Sequence, residues 1–454
     1  MPKPVMISVS GIRGIVGDGL TPELLVRYTA AAGTLYGPGK VMVGRDSRVT
    51  GEMVRGAVFS ALMSVGCDPV DLGVVPTPTV QLATERYGAA GGIVITASHN
   101  PAEWNALKLL DKTGMFLDEE QGLEIKRIAE SGAFAYKLWD KVGQASSRTD
   151  AIRDHIEAVL AIPFVDVERI RKRKFKVAFD SVNGAGGVIL PDLLKAFGCE
   201  IAALNAEPHG RFSHTPEPLA QNLTGLSDFV RSTKSDVGFA VDPDVDRCAI
   251  VSETGEFIGE EYTVTLASRF VLTKKKGTVV VNVSTTRAVD DVAALAGVPV
   301  VRTKVGEIHV AKKMKEIGAA VGGEGNGGVI LPEVHLGRDA PVAAALTLQA
   351  MAESGKTVSG LREELPRYFM AKKKLEIGSA DPDQLLKKLG EKYAADTCNW
   401  MDGLKIERPD SWIQIRKSNT EPIVRVMTEA KTPDEAERLA GLFVEEVRAL
   451  SAGR

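Results

Sequence analysis

The stretch Gly91-Gly92-Ile93-Val94-Ile95-Thr96-Ala97-Ser98-His99-Asn100-Pro101 decides how this chain is read. Ile93 to Thr96 are all β-branched and follow two glycines, which predicts a short buried strand. Pro101 disfavours helical geometry at Asn100 and stops the turn that follows. A serine hydroxyl, an imidazole and a carboxamide are thereby set at the C-terminal end of a strand, where open α/β sheets bind ligands. A hydroxyl nucleophile needs a base or a nearby cation, and His99 and Lys108 are the local candidates. Taken alone, the same residues also make an ordinary polar turn.

Working outward, a strand–helix–strand unit recurs three times. The first runs from Val41-Met42-Val43-Gly44-Arg45-Asp46 through a helix with Val58 and Leu62 to Gly66-Cys67-Asp68-Pro69-Val70. The second joins Val177-Ala178-Phe179-Asp180, a helix with Leu193 and Leu194, and Gly198-Cys199-Glu200-Ile201. The third joins Val279-Val280-Val281-Asn282, a helix with Val292 and Leu295, and Gly297-Val298-Pro299-Val300. Alternation of this kind predicts largely parallel sheets. Each unit continues into another helix and an apolar strand that ends in an unusual loop. Beside the Ser98 loop these are Val237–Val241 into Asp242-Pro243-Asp244-Val245-Asp246-Arg247, and Ala319-Ala320-Val321 into Gly322-Gly323-Glu324-Gly325-Asn326-Gly327-Gly328. Three equivalent loops on three similar domains can converge on one cleft.

Length alone, 454 residues, suggests about three domains at roughly 150 residues each. After about residue 366 the pattern changes to a smaller α+β unit. There, strands Trp412–Ile415 and Ile423–Met427 flank Arg416-Lys417-Ser418-Asn419-Thr420-Glu421-Pro422, and Thr432, Pro433 and Glu435 predict a capped helix start. The expected units are 1–147, 148–253, 254–366 and 367–454.

A formal charge of −3 with mixed signs argues against nucleic-acid or membrane-surface partners. The basic run Arg171-Lys172-Arg173-Lys174 reads as a solvated face. Cys67, Cys199, Cys248 and Cys398 are far apart, as buried thiols in a reducing cytosol would be. There is no long apolar N-terminal region and no apolar run of about 18 residues, so neither export nor a membrane span is expected.

Asp242, Asp244 and Asp246 stand at i, i+2 and i+4, which in an extended loop points three carboxylates one way. That repulsion is costly without a cation, and hard oxygen ligands suit Mg²⁺. An EF-hand would want glycine where Arg247 stands, and a solvated acidic turn is the plainer alternative. Arg416, Lys417, Ser418, Asn419 and Thr420 all carry phosphate donors, although an exposed turn has the same composition. Ser10-Gly11-Ile12-Arg13-Gly14 presents a further arginine, and Arg45-Asp46-Ser47-Arg48 reads as an internal ion pair. Gly355-Lys356-Thr357 resembles the end of a P-loop but follows a helical stretch, and Gly184-Ala185-Gly186-Gly187 reads as helix–strand packing. His155, His209, His214, His309 and His335 are dispersed, with no metal-ligand spacing between them.

With the loops in this order, the chain from about Ser8 to Thr428 resembles the α-D-phosphohexomutase family. Thr96–Pro101 is similar to that family's phosphoserine loop, Asp242–Arg247 to its magnesium loop, Glu324–Gly327 to its sugar-binding loop, and Arg416–Pro422 to its phosphate-binding loop. The resemblance implies three related α/β domains and a smaller C-terminal domain around a central cleft. It implies interconversion of hexose 6-phosphate and 1-phosphate through phospho-Ser98 and a hexose 1,6-bisphosphate, which also serves as activator. It further implies Mg²⁺ held by Ser98, Asp242, Asp244 and Asp246, with Arg13, Lys108 and His99 around the reacting oxygens. Lys304, Glu324, Asn326 and Arg247 would bind the sugar phosphate, and Arg416, Ser418, Asn419 and Thr420 its non-reacting phosphate.

One departure stands out. Many relatives carry Glu-x-Ser-Gly-His in the sugar loop, and the serine and histidine positions are Asn326 and Gly328 here. Glycine moves no proton, so that role would pass to Lys108, Arg13, His335 or water. The glycine-rich loop leans towards glucosamine phosphate and the Ser-Asn-Thr-Glu-Pro loop towards glucose or mannose phosphate. A binding protein that lost catalysis is the alternative from another class; no Gly-x-Ser-x-Gly elbow surrounds Ser98 to support a hydrolase. Oligomeric state is not legible.

Overall fold

The computed structural model describes residues 5–8, 11–378, 380–417 and 423–451. Three of its four sheets repeat one plan. In the first, Gly39–Arg45 lies between Cys67–Val74 and Gly91–Ile95, parallel to both, and Trp104–Leu110 folds back antiparallel on Gly91–Ile95. In the second, Lys176–Asp180 lies between Glu200–Leu204 and Val237–Val241, with Cys248–Ser252 antiparallel beyond. In the third, Val279–Asn282 lies between Val300–Thr303 and Val321–Glu324, with Gly328–Leu331 antiparallel beyond. The inner strands are buried on both faces by crossover helices, which is why they read as apolar runs without alternation. Each candidate loop is therefore the hairpin that joins a parallel strand to its antiparallel neighbour.

The third repeat differs from the expectation in register. Its strand is Val321–Glu324, so Gly322, Gly323 and Glu324 belong to the strand and only Gly325, Asn326 and Gly327 form the turn. A Cβ on Gly322 would lie 2.4 Å from the Met314 sulfur, so the glycine marks a close approach to the packed helix and not a loop.

The fourth sheet is antiparallel, in the order Phe369–Glu376, Ile423–Ala430, Ser411–Lys417, Leu404–Glu407, Thr397–Asn399. The helix Pro433–Ser451 begins where the Thr432 hydroxyl accepts from the Glu435 N–H at 3.3 Å, while the Glu435 carboxylate pairs with Arg438 instead of completing the box. This sheet docks on the C-terminal end of the third one. Lys405 donates to the Val283 carbonyl at 2.9 Å, the Ser284 hydroxyl to Gln414, and the Arg287 N–H to Glu429 at 3.0 Å. Burial there pushes the Lys405 ammonium down to about 8.

One apolar core runs through the second and third repeats, and the first and fourth units keep separate ones. Cys67 and Cys248 are buried as expected, whereas Cys199 and Cys398 are half-buried; all four are free thiols. Among the described residues, no helix is long and apolar enough to cross a membrane.

Candidate active site

The Ser98 loop is built around an arginine. Asp46 leaves the end of the central strand and binds Arg48 Nε at 3.0 Å, with both side chains fully buried. The Arg48 guanidinium then donates to the carbonyls of Ser98 (2.6 Å), Asn100 (2.7 Å), Pro101 (2.5 Å) and Trp104 (2.9 Å). Thr96 Oγ1 donates to Asp46 and accepts from the Ser98 N–H. This cradle holds Ser98 at φ 51°, a left-handed conformation that a non-glycine residue adopts only when its surroundings impose it. The Arg45–Arg48 segment is thus the internal ion pair expected, and it also shapes the loop. Arg48→Met should destabilise the fold by about 3–5 kcal/mol, because Asp46 is left buried and uncompensated. Urea unfolding checks this, and a loss below about 1 kcal/mol would place the loop's support elsewhere.

Ser98 Oγ donates to Asp242 Oδ2 at 2.8 Å, across 144 residues of sequence, and lies 3.3 Å from His99 Nδ1. Burial, with Asp246 and Asp244 alongside, pushes the Asp242 carboxyl well above its usual range. Arg247 and burial hold His99 well below its ordinary pKa, which keeps the imidazole neutral. Lys108, expected to activate Ser98, instead binds Asp244 at 2.6 Å and Asp246 at 3.2 Å. Burial opposes its charge, but the two carboxylates outweigh it and its pKa is raised. Lys108 is thus held as a cation against the acidic triplet.

The acidic loop is not extended. Val245 sits at φ 64°, and its N–H donates to the Asp242 carbonyl at 3.0 Å to close a turn. The three carboxylates converge all the same, with one oxygen of each within 4.8 Å of the others, all buried. Among the described residues, Oδ1 of Asp244 and of Asp246 are buried without a hydrogen-bond partner. Orphaned, converging carboxylate oxygens fit a hard divalent cation. Thr77, from the helix Thr77–Arg86, fixes Asp244 through its hydroxyl at 2.6 Å and its N–H at 2.9 Å. Gly184 packs against this loop, since its Cβ would lie 2.6 Å from Pro243 Cα. Gly184 thus serves loop–loop contact, while Gly186, which opens the helix Gly186–Ala196, makes the helix–strand packing expected, its Cβ falling 2.6 Å from the Val241 side chain.

Arg13 donates to the Asn100 side chain at 2.7 Å, and the Arg247 N–H donates to Asp242 Oδ1 at 3.2 Å. In the sugar-loop candidate, Glu324 Oε1 accepts from Asn282 (2.8 Å) and the Gly306 N–H (2.9 Å). Its Oε2 accepts from Arg338 at 2.7 Å and from Asn326 at 3.4 Å. Lys304 is exposed at the end of Val300–Thr303. The next N–H, of Val305, donates to Asp402 Oδ2 at 2.9 Å, and Arg416 lies 3.7 Å from that oxygen. Arg416 therefore meets the third unit at Val305 through Asp402, and among the described residues its Nε has no partner. Ser418, Asn419 and Thr420 lie outside the described residues.

Sequence reasoning missed Thr77 and Arg338, because neither stands in a motif. It also read the histidines as unrelated, yet His155 and His335 both place Nε2 on Asp339 Oδ2, at 2.7 and 3.0 Å, in a buried cluster. His335 is engaged there and not at the Gly328 position.

Domain models of the phosphoglucomutase/phosphomannomutase family match the chain in order. Alpha/beta/alpha domains I, II and III match residues 6–136, 153–255 and 259–369, and the C-terminal domain matches 374–446. A "Phosphoglucomutase/phosphomannomutase" of Thermococcus kodakarensis is 40% identical over 438 residues, 94% of each chain. A "Probable phosphoglucosamine mutase" of Methanopyrus kandleri is 40% identical over 447 residues, 97% of each. Among solved structures, a phosphoglucomutase/phosphomannomutase family protein from Burkholderia thailandensis superimposes with a TM-score of 0.84, at 26% identity and covering 98% of both chains.

Proposed function

The chain belongs to the phosphoglucomutase/phosphomannomutase family of phosphohexomutases, which are isomerases, and we propose that it interconverts glucosamine 6-phosphate and glucosamine 1-phosphate through a phosphorylated Ser98. The observation that carries this reading is the Ser98 hydroxyl, 2.8 Å from Asp242 and held in strained geometry at the edge of the acidic triplet. A free sugar hydroxyl attacks phosphorus as the P–Oγ bond breaks, a 1,6-bisphosphate forms, and the proton lost by the sugar hydroxyl ends on Ser98 Oγ. Neutral His99, with Nδ1 3.3 Å from Ser98 Oγ, is placed to relay that proton. The sugar then reverses and its other phosphate passes back to Ser98.

Around this exchange, Arg13, neutral His99 and Lys108 surround the reacting oxygens. Asp242, Asp244, Asp246 and a Ser98 phosphate oxygen would hold Mg²⁺, which supplies charge neutralisation for phosphoryl transfer. Lys304, Glu324, Asn326 and Arg247 read the sugar phosphate. Arg416, with Ser418, Asn419 and Thr420, anchors the phosphate that is not being transferred. Four functional units near 1–147, 148–253, 254–366 and 367–454 and a cytoplasmic setting belong to the same proposal, the latter supported by free thiols.

A second reading, glucose or mannose phosphate as substrate, is favoured by the name of the Thermococcus relative, at the same 40% identity as the Methanopyrus one. A coupled assay with the three sugar 1-phosphates, compared by kcat/KM, decides between them. Intact mass tests the mechanism separately, since a phosphoryl adduct on Ser98 is expected in a mutase and not in a binding protein.

The anchor must accept phosphate on C1 or C6, and the planar donors of Arg416 address oxygens that look alike in both poses. Losing such a contact costs roughly 1.5–3 kcal/mol, on the order of 10–100-fold in kcat/KM. Arg416→Ala is therefore expected to impose that penalty on 1-phosphate and 6-phosphate alike, measured in both directions with saturating bisphosphate. A penalty confined to one substrate would mean that Arg416 reads the sugar.

A further inference from the structure

We propose that Arg338 is the positioning residue of the sugar-reading loop, occupying the place in the cleft that a side chain at position 328 would otherwise fill. Gly328 starts the strand Gly328–Leu331, and its φ lies outside the left-handed region, so the backbone does not require glycine there. What excludes a side chain is Arg338. A Cβ on Gly328 would stand 2.2 Å from Arg338 Cδ and 2.9 Å from its Cγ. The arginine stem and a residue-328 side chain are alternatives for one volume, and position 328 is where the resemblance places histidine in many relatives.

The head group is placed as firmly as the stem. Nη1 binds Glu324 Oε2 at 2.7 Å, Nη2 binds Asp246 Oδ2 at 2.8 Å, and Nε binds Glu307 Oε2 at 2.9 Å. Glu307 in turn accepts from Gln81 at 2.8 Å. One buried guanidinium thus joins the acidic loop, the sugar loop and the helix Glu307–Ile317, and through Glu307 it reaches the helix Thr77–Arg86. Arginine cannot shed a proton in a protein, so it does not inherit acid–base chemistry. Its work is geometric: it sets the Glu324 carboxylate relative to the acidic triplet, and hence sugar relative to phosphoryl group. A lysine carries the charge but lacks the planar fork that serves three carboxylates at once. The inference rests on the proposed function only in taking the Glu324 loop as the sugar site.

The test pairs two kinds of variant. Arg338→Lys keeps the charge and most of the stem, so its Tm should stay within a few degrees of wild type. Its kcat/KM should fall about 10–100-fold for both sugar phosphates, as expected for a loosened supporting contact. Gly328→His alone should be impaired by collision with the stem. In Gly328→His/Arg338→Ala the imidazole has the vacated volume, and kcat/KM should recover at least about tenfold over Arg338→Ala, beyond simple additivity. A purely structural arginine would lower Tm without this pairwise rescue. Arg338→Lys within about twofold of wild type, or a double variant no better than Arg338→Ala, overturns the proposal. If wild type turns over no sugar phosphate, the mutase reading fails on its own. Calorimetric Kd values for glucosamine, glucose and mannose 6-phosphates then decide the same comparison, and absence of binding by wild type overturns both.

Discussion

Ser98→Ala is expected to lower mutase turnover by at least about 10³-fold while the chain folds normally, since no other group stands ready to take the phosphoryl. The substitution removes one oxygen, and the main support of the loop does not pass through it. Arg48 grips the Ser98, Asn100, Pro101 and Trp104 carbonyls, and those bonds survive. Holding alanine near φ 51° costs about 1–2 kcal/mol, which leaves most of a typical domain's stability in place. Asp242 loses its hydroxyl partner on Oδ2 but keeps the Arg247 N–H on Oδ1. Circular dichroism and Tm should match wild type, the seryl-phosphate adduct should be absent from the intact mass, and the coupled assay should be nearly silent. Retained turnover in a preparation free of wild-type enzyme would remove the seryl-phosphate mechanism.

The second large effect concerns the acidic triplet. Asp244→Asn should move the Mg²⁺ dependence to much higher concentrations, with at least about 10–100-fold loss of metal affinity. Asp244 contributes a buried Oδ1 that has no partner among the described residues, while its Oδ2 is held by Lys108 and Thr77. An amide keeps the shape but removes one of the converging charges that make a cation favourable there. It also takes a counter-charge from Lys108, whose raised pKa depends on Asp244 and Asp246 outweighing burial. Calorimetric titration of the purified chain with Mg²⁺ reads the affinity directly, and activity against Mg²⁺ concentration reads its consequence. If EDTA-treated wild type is indifferent to Mg²⁺, the metal assignment is wrong and the triplet serves only Ser98, Lys108 and Arg338.

By itself the sequence determined the repeat and the order of its loops. Parallel strands covered on both faces must be apolar throughout, so Val41–Val43, Val177–Phe179 and Val279–Val281 announce themselves without an alignment. Ser98 and the Asp242-Asp244-Asp246 triplet were legible for a related reason: each is a contiguous run of chemistry at a strand end. Tertiary structure decided which groups meet. Lys108 is close to Ser98 in sequence, yet its ammonium goes to carboxylates 136 and 138 residues away. Arg338 serves three acids from three elements, and Asp339 gathers histidines 184 and 4 residues distant. Even glycines changed meaning, with Gly184 and Gly328 marking where another loop or side chain must pass. The physical reason is burial. In a low-dielectric cleft each charge must find its counter-charge wherever hairpins from different sheets converge, and sequence spacing carries no record of that distance.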